Sequence, residues 1–147
     1  MRHRTEWVVA LLVVASLLLA ACGQSAPATA AKEPPVKLEK IGDTGINRVR
    51  LSEKAAQRLD IRTEAIREEL VDGAQRKVIV YSAVIYDVTG KTWAYTSPEH
   101  LVFVRQPIIV DYIDGDKVIL KDGPPTGTAI VTVGVPELYG ADTGVGK

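Results

Sequence analysis

The chain is poor in the residues that form crosslinks and soft metal sites. It has one cysteine and one methionine in 147 residues, so it forms no internal disulfide and offers no cluster of sulfur ligands. It has only two histidines, the usual residues for metal binding and proton transfer. We therefore expect the fold to depend on packing and hydrogen bonds alone.

The chain also lacks an excess of positive charge. Lys and Arg together number 18, Asp and Glu together number 18, and the formal net charge is zero. Binding to the phosphates of nucleic acid needs a basic face, and no run of like charge indicates a polybasic membrane patch. The composition predicts no nucleic-acid partner.

The main hydrophobic run lies near the N-terminus and leads into the single cysteine. Arg2 and Arg4 precede an apolar stretch at residues 8–19, and two alanines separate this stretch from Cys22. Positive, apolar and small residues in this order are typical of a secretory signal peptide. The stretch is shorter than the roughly 20 residues of a transmembrane helix.

The tetrapeptide Leu-Ala-Ala-Cys that ends at Cys22 resembles the lipobox of bacterial lipoproteins. This resemblance implies cleavage after residue 21, lipidation of Cys22 and attachment to membrane lipid on the extracytoplasmic side. Two or more acyl chains give stable anchoring. The alternative is an ordinary signal peptide with a chance cysteine.

Four segments are expected along the chain. Residues 1–21 form the lipoprotein signal peptide, and residues 22–45 hold the lipidated cysteine and a flexible linker of small residues and prolines. Residues 46–140 form a β domain, and residues 141–147 form a flexible tail.

The first part of the domain alternates between strand and helix signals. Residues 46–51 show the period-2 pattern of a half-buried strand. Ser52 offers a helix N-cap, and we expect a helix of about two turns that ends near Asp60. Residues 61–66 are predicted as a second strand, and residues 68–75 as a polar connection with a turn at Asp72-Gly73.

Everything after Arg76 has a β pattern. Strands are predicted at residues 77–86, 92–96, 101–112, 117–120 and 128–133, with a hairpin turn at residues 87–91 and another at Asp114-Gly115. Pro107 has no backbone donor, so it indicates an edge or a bulge. The predicted fold is mainly β: a small antiparallel β-barrel or sandwich with one short helix.

The order of these motifs resembles periplasmic adaptor subunits (membrane fusion proteins) of RND-type efflux pumps. The similarity is carried by the following stretches: Val49-Arg50-Leu51-Ser52, residues 61–66, residues 80–85, Gly90, Trp93-Ala94-Tyr95, Phe103-Val104-Arg105, residues 115–118, residues 121–131 and residues 137–140. Asp60 departs from the glycine that is usual in the family.

The resemblance covers about residues 46–140, but the middle of an adaptor is missing. The family's helical hairpin, lipoyl domain and β-barrel would lie between the two matched parts, where only residues 67–75 are present. The chain thus resembles an adaptor reduced to its membrane-proximal domain. This implies an extracytoplasmic accessory protein of efflux or transport, with an inner-membrane transporter or efflux component as its partner.

No catalytic, cofactor or metal site is predicted, and we expect the protein not to be an enzyme. No serine lies in a G-x-S-x-G elbow. Glu99 and His100 could supply half of a metal site, but a lone histidine in a loop is usually solvated. Three further carboxylates and three aromatic residues have structural interpretations. They are Asp111, Asp114 and Asp116 as turn and edge residues, and Trp93, Tyr95 and Phe103 as core.

Two functions remain open from the sequence. One is a lipid-anchored module that docks on a transporter through its β domain, and the other is a small ligand- or metal-binding lipoprotein that delivers cargo to a transporter. Exposed loops on rigid strands are the expected contact elements. The candidate partner-contact residues are Asp87, Gly90, Glu99, His100 and Pro107.

The first prediction concerns the anchor. We expect Cys22→Ser to abolish lipidation and to release the protein from the membrane fraction, because serine has no thiol to carry the acyl chains. Fractionation and intact-mass measurement check this against the wild-type chain. A mutant that still sediments with membranes, together with a wild type without a lipid mass, would contradict it.

Overall fold

The computed structural model describes residues 34–144. The predicted signal peptide, Cys22 with the rest of the first half of the predicted linker, and residues 145–147 lie outside this range. Within it, no helix has the length and apolar character that crossing a membrane requires.

Eleven strands and two helices make up the described part of the chain. The strands are β1 (Val36–Lys40), β2 (Asn47–Leu51), β3 (Arg62–Ala65), β4 (Arg67–Val71), β5 (Ala74–Val80), β6 (Ile85–Tyr86), β7 (Thr92–Glu99), β8 (Val102–Pro107), β9 (Ile109–Asp114), β10 (Lys117–Asp122) and β11 (Ala129–Val133). The helices are α1 (Glu53–Arg58) and α2 (Val135–Thr143), and a 3-10 turn spans Tyr81–Ala83.

The strands form two antiparallel sheets. The larger sheet has the order β1-β2-β8-β7-β11-β3, with β6 also paired to β7, and the smaller sheet has the order β4-β5-β10-β9. The chain passes between the sheets at Ile66, which separates β3 from β4, and at Ile108, which separates β8 from β9. The mainly β prediction is confirmed, and the two sheets pack as a sandwich without closing into a barrel.

Two cores lie on opposite faces of the larger sheet. On one face, Tyr95 and Phe103 pack with Leu138 of helix α2 and Ala55 of helix α1. On the other face, Ala94 and neighbouring residues pack against the smaller sheet. Since successive residues of a strand point to opposite faces, β7 contributes to both cores.

The N-terminal strand predicted over residues 46–51 is present as β2, and it pairs with the second half of the domain. Val49 of β2 lies opposite Phe103 of β8, a strand from the second half of the domain. Helix α1 also follows its prediction, because the hydroxyl of Ser52 accepts a hydrogen bond from the amide of Ala55 at 3.3 Å.

The boundaries of the domain differ from the prediction at both ends. Residues 36–40 were expected in the linker, yet they form β1 in register with β2, and Val36 packs on the core. Residues 141–143 were expected in the tail, yet they continue helix α2, a second helix that the sequence did not indicate. Residues 36–40 are ordered by pairing with β2 and by the packing of Val36, and residues 141–143 by the buried hydrogen bonds of Asp142.

Three internal elements also differ. The strand predicted over residues 101–112 is divided at Ile108 into β8 and β9, which belong to different sheets. Residues 67–71 form strand β4 rather than a polar connection, although the turn at Asp72-Gly73 is confirmed as the hairpin between β4 and β5. The strand predicted over residues 77–86 is broken by the 3-10 turn. The sequence pattern does not predict strand β4, because this edge strand is charged and shows little apolar alternation.

Pro107 takes the position its missing donor predicts. It is the last residue of β8 and lies opposite Trp93 of β7, beyond the part of β8 that pairs with β2. At Pro107, strand β8 therefore has no strand paired on its β2 side. The N–H that proline lacks thus removes no hydrogen bond from the sheet.

The second prediction concerns Gly134, which precedes helix α2. Its φ is +79°, and a Cβ there would meet the Ile61 side chain and lie 2.8 Å from the Leu59 carbonyl oxygen. Left-handed strain of about 1–2 kcal/mol adds to an overpacking cost of about 1–3 kcal/mol. We expect Gly134→Ala to lower the free energy of unfolding by about 3 kcal/mol in urea titrations.

Gly73 provides the matched control for this substitution. Its φ is +78°, and no atom lies within 4 Å of the position a Cβ would take. Gly73→Ala should therefore cost only the strain of about 1–2 kcal/mol. Equal losses in the two variants would show that the contact with Ile61 and Leu59 does not constrain the start of helix α2.

Candidate functional site

The structure separates the predicted contact residues between the two ends of β7. Asp87, Gly90 and Pro107 lie where β7 begins, because β6 and the end of β8 both pair with its first residues. Glu99 and His100 lie where β7 ends. The two groups are about 20 Å apart at about 3.4 Å per residue of strand.

We call the first group the hairpin end, which comprises β6, the turn of residues 87–91 and the corner of residues 107–110. The carboxylate of Asp87 organises this turn. It accepts hydrogen bonds from the amide and hydroxyl of Thr89, from the amide of Lys91 and from Nε1 of Trp93, at 2.7–3.0 Å. The hydrogen bonds from Thr89 and Trp93 hold the pKa of Asp87 well below its usual range. The turn is thus fixed by its own charged residue.

Apolar side chains are exposed around this fixed turn. Val88 at its tip is 100% exposed, and Tyr86 and Ile109 are each 51% exposed. Tyr81 lies beside Tyr86. Burial and this neighbouring tyrosine raise the pKa of Tyr86. The hairpin end therefore exposes three large apolar side chains, and Asp87 and Lys91 are the charged residues of its turn.

An open groove runs beside the turn. Its volume is about 500 Å³, and it is lined by Gly90, Lys91, Thr92, Trp93 and residues 107–110. The hydroxyl of Thr92 already donates to the carbonyl of Ile108 at 2.7 Å. The groove therefore offers apolar surface and one lysine, rather than a converging set of polar groups.

The opposite end of β7, which we call the loop end, has a different character. His100 lies 2.9 Å from Glu53 of helix α1, and Glu99 lies 3.9 Å from Arg50. These groups are exposed and paired with helix α1 and strand β2, so Glu99 and His100 do not converge on a common point. Among residues 34–144, no group of three or more His, Cys, Asp or Glu side chains is placed to hold a metal ion.

The chain enters the domain at this same loop end. The carbonyl of Pro35, just before β1, accepts a hydrogen bond from the amide of Ser52 at 3.0 Å. The amide of Leu51 in turn donates to the carbonyl of Leu101, which follows His100, at 3.0 Å. The segment that leads back to Cys22 therefore leaves the domain beside Glu99 and His100, and the hairpin end lies away from it.

Comparison with known proteins adds no relative to this description. No family model, no curated protein and no solved structure matches the chain. The function must therefore be argued from the residues and their geometry.

The structure also contains a buried polar cluster around Asp142, which the sequence does not indicate. The side chain of Asp142 in helix α2 is fully buried, and it accepts hydrogen bonds from the Tyr95 hydroxyl at 2.7 Å and from Nδ2 of Asn47 at 2.9 Å. Nε of Arg105 lies 3.2 Å from the same carboxylate, without the alignment of a hydrogen bond. No local pattern indicates the cluster, because Asp142 lies outside every motif, 47 residues beyond Tyr95 and 95 residues beyond Asn47.

Aromatic rings hold the guanidinium of Arg105 in place. Its central carbon lies 5.1 Å from the ring centre of Trp93 and 5.7 Å from that of Tyr139. Cation–π contacts of this kind stabilise a desolvated arginine. The cluster joins strands β2, β7 and β8 to helix α2, so its chemistry is structural rather than catalytic.

The remaining side chains singled out in the sequence have structural roles as predicted. Tyr95 and Phe103 are buried in the core, and Trp93 packs against it. Asp111 of β9 pairs with Arg76 of β5, the two strands that flank β10 in the smaller sheet. Asp114 and Asp116 flank Gly115 in the turn between β9 and β10.

The third prediction concerns alkaline pH. Burial, together with the hydrogen bond to Asp142, raises the pKa of Tyr95 well above 10. The unfolded chain therefore loses this proton from about pH 10 upward while the folded chain retains it, and stability falls as the pH rises. Tyr95→Phe should remove this part of the alkaline loss, and should cost about 2 kcal/mol below pH 10 by removing a hydrogen bond to a charged group.

Urea titrations at pH 7 to 11 measure both effects, and Tyr112→Phe is the control. Tyr112 donates to Asp72 at 3.0 Å but is exposed, so its removal should change stability at neutral pH by less than about 1 kcal/mol. Parallel stability curves for the wild type and Tyr95→Phe above pH 10 would contradict the argument.

Proposed function

We propose that this chain is a lipid-anchored extracytoplasmic accessory protein that docks on a membrane transporter through the hairpin end of its β domain. The observation that carries the proposal is the exposure of Val88 at the tip of a turn that Asp87 holds rigid, with Tyr86 of β6 and Ile109 of β9 exposed beside it. Rigid presentation lowers the entropy lost on binding.

The composition of the hairpin end supports a protein partner. Centres of protein interfaces are rich in tyrosine and poor in unpaired charge. Tyr86 of the hairpin end and the neighbouring Tyr81 are both half exposed, and the charge of Asp87 is satisfied inside the turn, which leaves Lys91 as the exposed charge of that turn. A surface of charged side chains would bind such a partner less well, because those side chains would lose their hydration on docking.

The position of the hairpin end supports a partner that projects from the membrane. The chain leaves the domain towards Cys22 at the loop end, about 20 Å from the hairpin end along β7. A domain tethered by Cys22 would thus present Val88 away from its tether. The predicted lipid anchor and the motif order that resembles efflux adaptors both favour a transporter as this partner.

The delivery of small-molecule cargo has less support. The cavity beside Glu69 and Lys117 is about 70 Å³, space for about two water molecules. The groove at the hairpin end is large enough for a ligand but lacks the converging polar groups that fix a ligand's orientation. An apolar groove without such groups suits a side chain of a protein partner better than a small-molecule ligand.

The fourth prediction tests docking in cells of the native host with the full, membrane-anchored chain. A photoreactive residue in place of Val88 should crosslink to an integral membrane transporter, because a fully exposed tip residue meets the partner first. The adduct is identified by mass spectrometry. The matched control carries the photoreactive residue at Thr63, an exposed position on edge strand β3.

A second substitution tests whether the apolar surface is responsible. With the photoreactive residue at Tyr86, Val88→Glu should abolish the adduct, because docking would bury an unpaired carboxylate. Stability should change by less than about 0.5 kcal/mol, since the site is solvent-exposed. Identical adducts from Val88 and Thr63, or a soluble protein as the sole Val88 adduct, would overturn the proposal.

A further inference from the structure

Trp93 connects the surface turn to the interior of the domain. Its Nε1 donates to the carboxylate of Asp87 at 2.9 Å, so the ring forms part of the turn's hydrogen-bond system. The same ring carries the guanidinium of Arg105 at 5.1 Å from its centre. One side chain is thus shared between the turn and a buried cation.

The side chain of Arg105 is confined to its position beside Trp93. Its side chain is 12% exposed, and its Nε is buried without a hydrogen-bonded acceptor among the described residues. The carboxylate of Asp142 supplies the compensating charge at 3.2 Å. Without that charge, Arg105 would have to turn towards water, because an unpaired buried cation is strongly unfavourable.

Helix α2 fixes the far end of this series of contacts. Asp142 lies in its last turn, and its side chain is fixed by Tyr95 and Asn47. Tyr139, one turn earlier on the same helix, covers Arg105 from the other side at 5.7 Å. A shift of helix α2 would therefore move both the carboxylate and one of the two rings that hold Arg105.

We propose that helix α2 and the turn of residues 87–91 are energetically coupled through Asp142, Arg105, Trp93 and Asp87. When helix α2 is docked, Arg105 is held against Trp93, and the indole N–H is held on Asp87. When the Asp142 contact is lost, the turn loses its Trp93 hydrogen bond and becomes mobile. The role of this coupling in docking rests on the proposed function, but the coupling itself belongs to the unbound protein.

Reciprocity follows from the same contacts. Coupling between two sites acts equally in both directions. A partner that binds the turn and holds Trp93 in place should stabilise the docked position of helix α2. The helix would then report, at the other end of the contacts, whether the hairpin end is occupied.

The fifth prediction uses hydrogen exchange at the amides of Thr89 and Lys91, both of which donate to Asp87. In the full chain without partner, Asp142→Asn should speed exchange at these amides about tenfold or more, because it removes the charge that holds Arg105. Glu137→Gln is the control, since Glu137 lies exposed on the same helix. Unchanged protection of Thr89 and Lys91 in folded Asp142→Asn would overturn the coupling.

Arg105→Lys keeps the test decisive if Asp142→Asn does not fold. Lysine retains the positive charge beside Asp142 but cannot stack a planar group between two rings. Exchange at Thr89 and Lys91 should again accelerate, and protection equal to that of the wild type would overturn the proposal.

A double-mutant cycle gives an independent measure. Asp87→Asn and Asp142→Asn should together lower the urea midpoint by less than the sum of their separate effects, because each already breaks the shared contacts. Additive shifts would show that turn and helix are independent. All these measurements lack a partner, so failure of the Val88 crosslink would leave the coupling standing, and failure of the coupling would leave docking untouched.

Discussion

Strand β7 is the element on which the rest of the structure depends. It pairs with β8 along one edge, and with β6 and β11 along the other. Its alternation sends Tyr95 towards the helices and Ala94 towards the smaller sheet. A one-residue slip would exchange these two side chains and place a tyrosine hydroxyl in an apolar core. The register of β7 therefore sets both cores at once.

The buried carboxylate of Asp142 depends on that register. Its partners Asn47, Tyr95 and Arg105 come from three neighbouring strands and point to the helix face of the sheet. A buried ion pair adds little net stability compared with apolar packing, but losing one partner is costly. The cluster thus specifies where helix α2 sits more than how stable the domain is. A helix of nine residues needs such a constraint, because short helices are marginal by themselves.

The same strand separates two surfaces of different chemistry. At the loop end, His100 and Glu99 meet charged partners and remain solvated. At the hairpin end, Asp87 satisfies its charge within the turn, and Val88 and Tyr86 stay exposed. An exposed apolar side chain on a rigid turn is well suited to recognition of a protein. The docking on a transporter that we propose rests on these contacts, on the resemblance to efflux adaptors and on the expected lipid anchor.

The sequence by itself determined the elements whose signals are local. The cap at Ser52, the turns at Asp72-Gly73 and residues 87–91, and the strand around Val49 follow from side-chain hydrogen bonds, positive φ and period-2 burial within a few residues. Tertiary structure alone decided the elements whose own patterns are weak. Strand β1 is ordered because β2 offers it a free edge, and helix α2 because the face of the sheet that carries Tyr95 accepts Asp142 from 47 residues away. The grouping of Gly90 with Pro107, and the burial of Asp142 among three strands, likewise depend on how the strands are ordered in the sheet, which no local pattern encodes.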